Sequence, residues 1–164
     1  MSLSSPFETE LVGLLPRLRR FAHALSRSPA DADDLAQATV ERALRSKAQW
    51  QPGTRLDSWL YRIMRNLWID TVRGRARKDK VETPAADAEQ LGEDPREAMD
   101  AAVDLARMMA AMQQLPDEQR EVVALILVEG FGYRETAEML DLPIGTVSSR
   151  LVRGRTALLE MVGG

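Results

Sequence analysis

Residues 81–98, VETPAADAEQLGEDPREA, constrain this 164-residue chain more than any other stretch. The segment is rich in Pro, Ala and acid and has no bulky apolar periodicity, so it cannot bury enough surface to fold alone. It divides the chain into two helical modules, each with its own apolar pattern. Charge follows the same division. Residues 1–80 hold 15 Lys and Arg against 9 Asp and Glu, residues 81–105 hold 1 against 8, and residues 106–164 hold 6 against 8. The formal net charge of -3 thus comes from the middle of the chain, and the first module is basic.

Strand-like alternation is absent, and apolar residues recur at helical spacing on both sides of the divide. Phe7, Leu11, Leu14, Leu15, Leu18, Phe21, Ala22 and Leu25 predict a first helix, with Pro16 as an expected kink or break. Ser28-Pro29 predicts a cap and first position for a second helix, whose early acids Asp31, Asp33 and Asp34 suit the positive end of the helix dipole. That helix continues through Leu35, Ala36, Thr39, Val40, Ala43 and Leu44. QPGT marks a turn, and a third helix from about Asp57 runs through Trp59, Leu60, Ile63, Met64, Leu67 and Val72.

The third helix is chemically distinctive. Arg62, Asn66, Arg73 and Arg77 fall near one polar stripe, and Trp59, Tyr61 and Trp68 interleave aromatic rings. Single-stranded nucleic acid needs this combination, since stacking contributes about 1 to 3 kcal/mol per base and guanidinium neutralises phosphate. A plainer reading competes: tryptophans at helical spacing are commonly core, and an Arg-rich helix end is commonly solvated.

The second module opens with a helix from about Arg96 through Ala98, Ala102, Leu105, Met109 and Met112, broken at Leu115-Pro116. DEQREVVALILVEG predicts a capped core helix ending at Gly130. YRETAEMLDLPIGTVSSRLVRGRTAL then has the form of a helix-turn-helix. Tyr133, Ala137 and Leu140 are expected inside, and Val147, Leu151 and Leu158 define the buried side of the last helix. Opposite lie Thr146, Ser149, Arg150 and Arg153, flanked by Ser148 and Arg155, the hydroxyls and guanidiniums a recognition helix offers a major groove. A helical hairpin with a basic exterior shares the pattern.

Several classes are disfavoured. No Cys and one His rule out a disulfide framework or a Cys/His zinc site, and no metal or cofactor is expected. No catalytic set is recognisable, so an enzyme is not expected. No secretory leader or membrane span is apparent, which suits the cytoplasm.

DADDLAQATVERAL followed by WQPGTRLDSWLYRIMRNLWIDTVRGRARK resembles the second conserved region of bacterial sigma-70-family factors. LPDEQREVVALILVEGFGYRETAEMLDLPIGTVSSRLVRGR resembles the fourth, and the chain as a whole is similar to the extracytoplasmic-function group. Its region-four stretch also leans toward the general-stress sigma factors of alphaproteobacteria. The resemblance implies an all-α chain of two small helical domains joined by an acidic flexible linker, the C-terminal one a helix-turn-helix. Residues 1–80 would be region 2, 81–97 the linker and 98–164 region 4.

The resemblance further implies that Asp33, Asp34, Leu35, Gln37, Thr39 and Arg42 dock on core RNA polymerase. Trp59, Tyr61, Arg62, Asn66, Asp70, Arg73 and Arg77 would melt and capture the promoter -10 element as single-stranded DNA. Thr146, Ser148, Ser149, Arg150, Arg153 and Arg155 would read the -35 duplex. An anti-sigma factor is an implied partner, and the linker would thread toward the polymerase active site. Ser148 stands where the family often has a basic residue, and Gly154 where it usually has Ala, at about 1 kcal/mol of helix propensity. A stand-alone helix-turn-helix regulator and a sigma-mimicking decoy for an anti-sigma factor are the alternatives. The first lacks an obvious dimerisation helix, and Arg62, Asn66, Arg73, Arg150 and Arg153 argue against the second.

Overall fold

The computed structural model describes residues 5–26, 28–79 and 101–163, so the acidic linker at 81–97 and both of its proposed boundaries lie outside the described residues. Of the helix expected from Arg96, Ala98 lies outside, as do the side chains of Ala102 and Leu105. Every described element is helical. The first unit comprises α1 (Pro6–Leu25), α2 (Pro29–Arg45) and α3 (Leu56–Asp79). The second comprises α4 (Ala101–Met112), α5 (Asp117–Val123), α6 (Tyr133–Leu140) and α7 (Ile144–Gly163).

Local chemistry starts these helices where the sequence signals it. Ser5 and Glu8 form a reciprocal capping box on α1, and the Ser28 hydroxyl accepts the Asp31 amide of α2 at 3.1 Å. Each cap satisfies amides that have no partner within the helix. Gly53 takes a positive φ of 94° in the QPGT turn, a conformation that favours glycine.

Of the kink or break expected at Pro16, the break does not occur: α1 runs through it. Pro16 and Val12 both lie on the exposed side, so the carbonyl that loses its amide partner faces water. Leu44 and Tyr133 also depart from the expected pattern, at 44% and 43% exposure.

Phe21, Leu60, Tyr61 and Met64 of the first unit and Met112, Val122, Leu125 and Val147 of the second are buried in one hydrophobic cluster. In the second unit α7 packs against α4, α5 and α6. Gly154 explains that packing: a Cβ built there would come within 2.7 Å of Val123 Cγ2. Glycine therefore permits close approach of α7 to α5, which its propensity cost alone did not suggest. Gly154→Ala should lower stability by a net of about 1 kcal/mol or more, because overpacking a stiff valine outweighs the propensity gained. A thermal melt of the purified variant checks it; a raised melting temperature would contradict the close approach.

Candidate nucleic-acid interface

On α3 the polar stripe forms as the spacing predicts. Arg62, Asn66, Asp70, Arg73 and Arg77 are all exposed. The aromatic part of the expectation fares differently. Trp68 is buried at 7% exposure, and Trp59 is half-buried with its ring edge-on to Phe7 at 6.1 Å. Tyr61 is fully buried, with ring centroids 4.7 Å from Phe21 and 5.5 Å from Phe131, and its hydroxyl donates to Glu129 Oε1 at 2.8 Å. Burial and the neighbouring Glu129 carboxylate push the phenol pKa up, so the ring stays neutral. In this arrangement Tyr61, covered in part by Phe131 and Glu129 of the second unit, offers no face to a base; of the three rings only Trp59 remains partly accessible.

Residues expected to dock on polymerase divide likewise. Asp33, Asp34, Gln37 and Arg42 are exposed on α2, whereas Leu35 and Thr39 are buried. Thr39 Oγ1 donates to the Leu35 carbonyl at 2.8 Å, an internal helix contact. Glu41 and Leu44, which the sequence reading did not single out as docking residues, complete an exposed row with Asp34 and Gln37 at spacings of three and four. Asp31 instead ties α2 to α3. It accepts two hydrogen bonds from Arg75 at 2.7 and 2.9 Å, which hold its carboxyl below the usual carboxylate range.

The turn between α6 and α7 is built from backbone bonds. Asp141 adopts the left-handed conformation with φ 58°, and the Leu142 amide donates to the Ala137 carbonyl at 3.0 Å. Pro143 then starts α7, its carbonyl accepting from the Thr146 and Val147 amides. Val147, Leu151, Gly154 and Leu158 face inward. Ser149, Arg153 and Arg155 are exposed, and Thr146, Ser148 and Arg150 are half-buried. On a helix of 3.6 residues per turn, Thr146, Ser149, Arg150 and Arg153 form one face, whereas Ser148 and Arg155 fall on the other side of the helix, beyond the buried stripe, and so do not belong to that face.

The two units pack against each other, which the sequence did not signal. Arg62 Nη2 donates to the Glu138 carbonyl of α6. Arg65, absent from the sequence-based set, pairs with Glu121 at 3.1 Å and donates to the Leu140 carbonyl at 3.4 Å. Its position three residues beyond Arg62 was the available signal. Burial raises the Glu121 pKa, and the hydrogen bond from Arg65 opposes that shift. Arg150 of α7 and Arg73 of α3 line one cleft of about 300 Å³ with Arg65, Trp68 and Glu121. One edge of the α3 stripe therefore faces the helix-turn-helix, while Asn66 and Arg77 make no recorded polar contact with it.

An all-helical first unit with a basic surface stripe and a second unit ending in a helix-turn-helix define a DNA-engaging protein of two parts. The family model for sigma-70 region 2 matches residues 12–78, and that for sigma-70 region 4 matches residues 105–158. The ECF RNA polymerase sigma factor EcfG of Rhodopseudomonas palustris is 34% identical over 162 residues, covering 99% of this chain and 88% of that protein. SigE of Mycolicibacterium smegmatis, also an ECF RNA polymerase sigma factor, is 40% identical over 153 residues, covering 88% of this chain and 56% of it. The sigma factor RpoE of Bartonella quintana, solved with the anti-sigma factor NepR, superposes with a TM-score of 0.82 at 32% identity over 96% of each chain. The chain belongs to the sigma-70 family, as an extracytoplasmic-function RNA polymerase sigma factor. These relatives are transcription initiation factors and not enzymes. Among the described residues, no helix is long and apolar enough to cross a membrane.

Proposed function

We propose that residues 1–80 dock the chain on core RNA polymerase and open the -10 element, that 81–97 form the acidic linker, and that 98–164 read the -35 element. The observation that carries this division is chemical. The exposed α3 stripe combines an amide and guanidiniums beside a half-accessible indole, whereas the exposed α7 face offers hydroxyls and guanidiniums after a tight turn. The first suits unstacked bases, the second a duplex groove. The exposed row Asp34, Gln37, Glu41 and Leu44 is the polymerase-docking surface, joined by Asp33 and Arg42. Leu35 and Thr39 support that surface from inside and do not touch the partner.

The chain works in the cytoplasm, on stress-response promoters, and is restrained by an anti-sigma factor. The likeness to EcfG and to RpoE solved with NepR supports this reading. Run-off transcription with purified core polymerase on a genomic promoter library tests it: start sites sharing two spaced upstream elements are expected. Asp34→Arg should weaken core association without unfolding the chain, because it reverses one exposed charge and leaves Leu35 in the core. Unchanged pull-down by a folded Asp34→Arg variant would move the docking surface elsewhere. Tight, specific binding of duplex operators without core would favour the stand-alone regulator.

A further inference from the structure

Glu129 lies in the second unit, yet the partners recorded for its side chain all come from the first. Arg17 Nε at 3.3 Å, Arg20 Nε and Nη2 at 2.8 and 2.9 Å and the Tyr61 hydroxyl at 2.8 Å converge on its carboxylate, which is 0% exposed. A π-helical turn at Ala124–Val128 sets up this position: the Glu129 amide bonds the Ala124 carbonyl, five residues back. One residue more per turn rotates Glu129 roughly 100° out of the α5 register. The same closure engages Arg62 and Arg65 on carbonyls of α6.

We propose that Glu129 is an autoinhibitory latch, holding the free chain closed so that the edge of the α3 DNA stripe is masked by the chain's own helix-turn-helix. The inference rests on the assignment of α3 to DNA made above. Its energetics suit a reversible device. Burying the carboxylate against two half-exposed guanidiniums nets little, because its desolvation offsets most of the attraction, so a partner can open it. Removing the guanidiniums strands the buried carboxylate, whereas removing the carboxylate leaves Arg17 and Arg20, whose side chains are 32% and 39% exposed, to hydrate without a partner in the second unit; either change releases the latch.

The chain has no Cys, so Ala48→Cys and Thr156→Cys place two unique spin labels on exposed positions of the first and second units. The wild-type background should give a dominant narrow distance distribution with only a minor longer component at physiological salt, and Glu129→Ala a broad, longer one. Binding of fluorescein-labelled single-stranded DNA of mixed sequence, about 16 nucleotides long, should tighten about tenfold in Glu129→Ala, as expected if the competent fraction rises from roughly a tenth to unity. Glu160→Ala removes the same charge from an exposed site and should leave affinity near wild type. Arg17→Ala with Arg20→Ala opens the latch from the other side and stands in for the label measurement if Glu129→Ala melts.

A broad wild-type distribution overturns the latch, and so does opening without a gain in DNA binding. If neither wild type nor variant yields transcripts with core polymerase, the functional reading fails instead. The label distances and DNA affinities then still decide whether the latch exists.

Discussion

Arg120→Ala should cost about 3 to 5 kcal/mol, the largest stability loss expected of any substitution considered for this chain. Arg120 is 1% exposed, and it donates to the Leu115 carbonyl at 2.8 Å, to the Leu25 carbonyl at 3.0 Å and to Asp117. Truncation leaves two buried carbonyls short of a donor and opens a cavity beside the α4–α5 corner. A drop in melting temperature on the order of 10 °C follows for a chain of this size. Arg120→Lys should recover little, because one ammonium cannot match a planar fork aimed at separated carbonyls. A melt within about 2 °C of wild type would mean that water replaces the guanidinium and that the corner is less dry than it stands.

The second large effect separates the two DNA-facing surfaces. Arg153 is exposed on α7, and Asn66 is exposed on α3. Arg153→Ala should cost about 1 to 3 kcal/mol in promoter binding and relax preference at one -35 position if the guanidinium reaches a base edge. A phosphate contact would instead weaken all sequences alike and reduce the salt slope. Asn66→Ala removes an amide able to hydrogen-bond an unstacked base, so it should impair opening on duplex templates. A template already melted across the -10 element should remove the opening defect and retain only the loss of base capture. Polymerase binding, permanganate reactivity of -10 thymines and transcript yield, on duplex and pre-melted templates, resolve these outcomes. Loss of opening in Arg153→Ala with unchanged -35 recognition would exchange the roles of the two units.

Much of the fold was legible because local signals carried it. Ser28 with Pro29 and the QPGT turn with Gly53 each act within a few residues, and the structure uses them as the sequence predicts, while Ser5 with Glu8 caps α1 by the same short-range chemistry without having been singled out. Pro16 did not end α1 because tertiary packing of the buried face holds the helix together while the position of the proline, with Val12 one turn before it, is turned to water. Gly154 misled because propensity counts backbone entropy alone, whereas this glycine answers to Val123, thirty-one residues away in sequence.

The sequence by itself determined the helical class, the division at the acidic segment, the sigma-70 resemblance and the exposed polar faces of α3 and α7. All of these follow from periodicity, composition and short-range chemistry. Only the tertiary structure decided which members of those sets are accessible. Tyr61, Leu35 and Thr39 have the right residue types at matching positions, yet they are buried, because each also lies on the apolar side of its helix. The joining of Arg17, Arg20 and Tyr61 on Glu129, and of Arg120 on Leu25, spans 68 to 112 positions along the chain. No helical period links residues so far apart; packing brings them together, and their burial then makes each hydrogen bond matter.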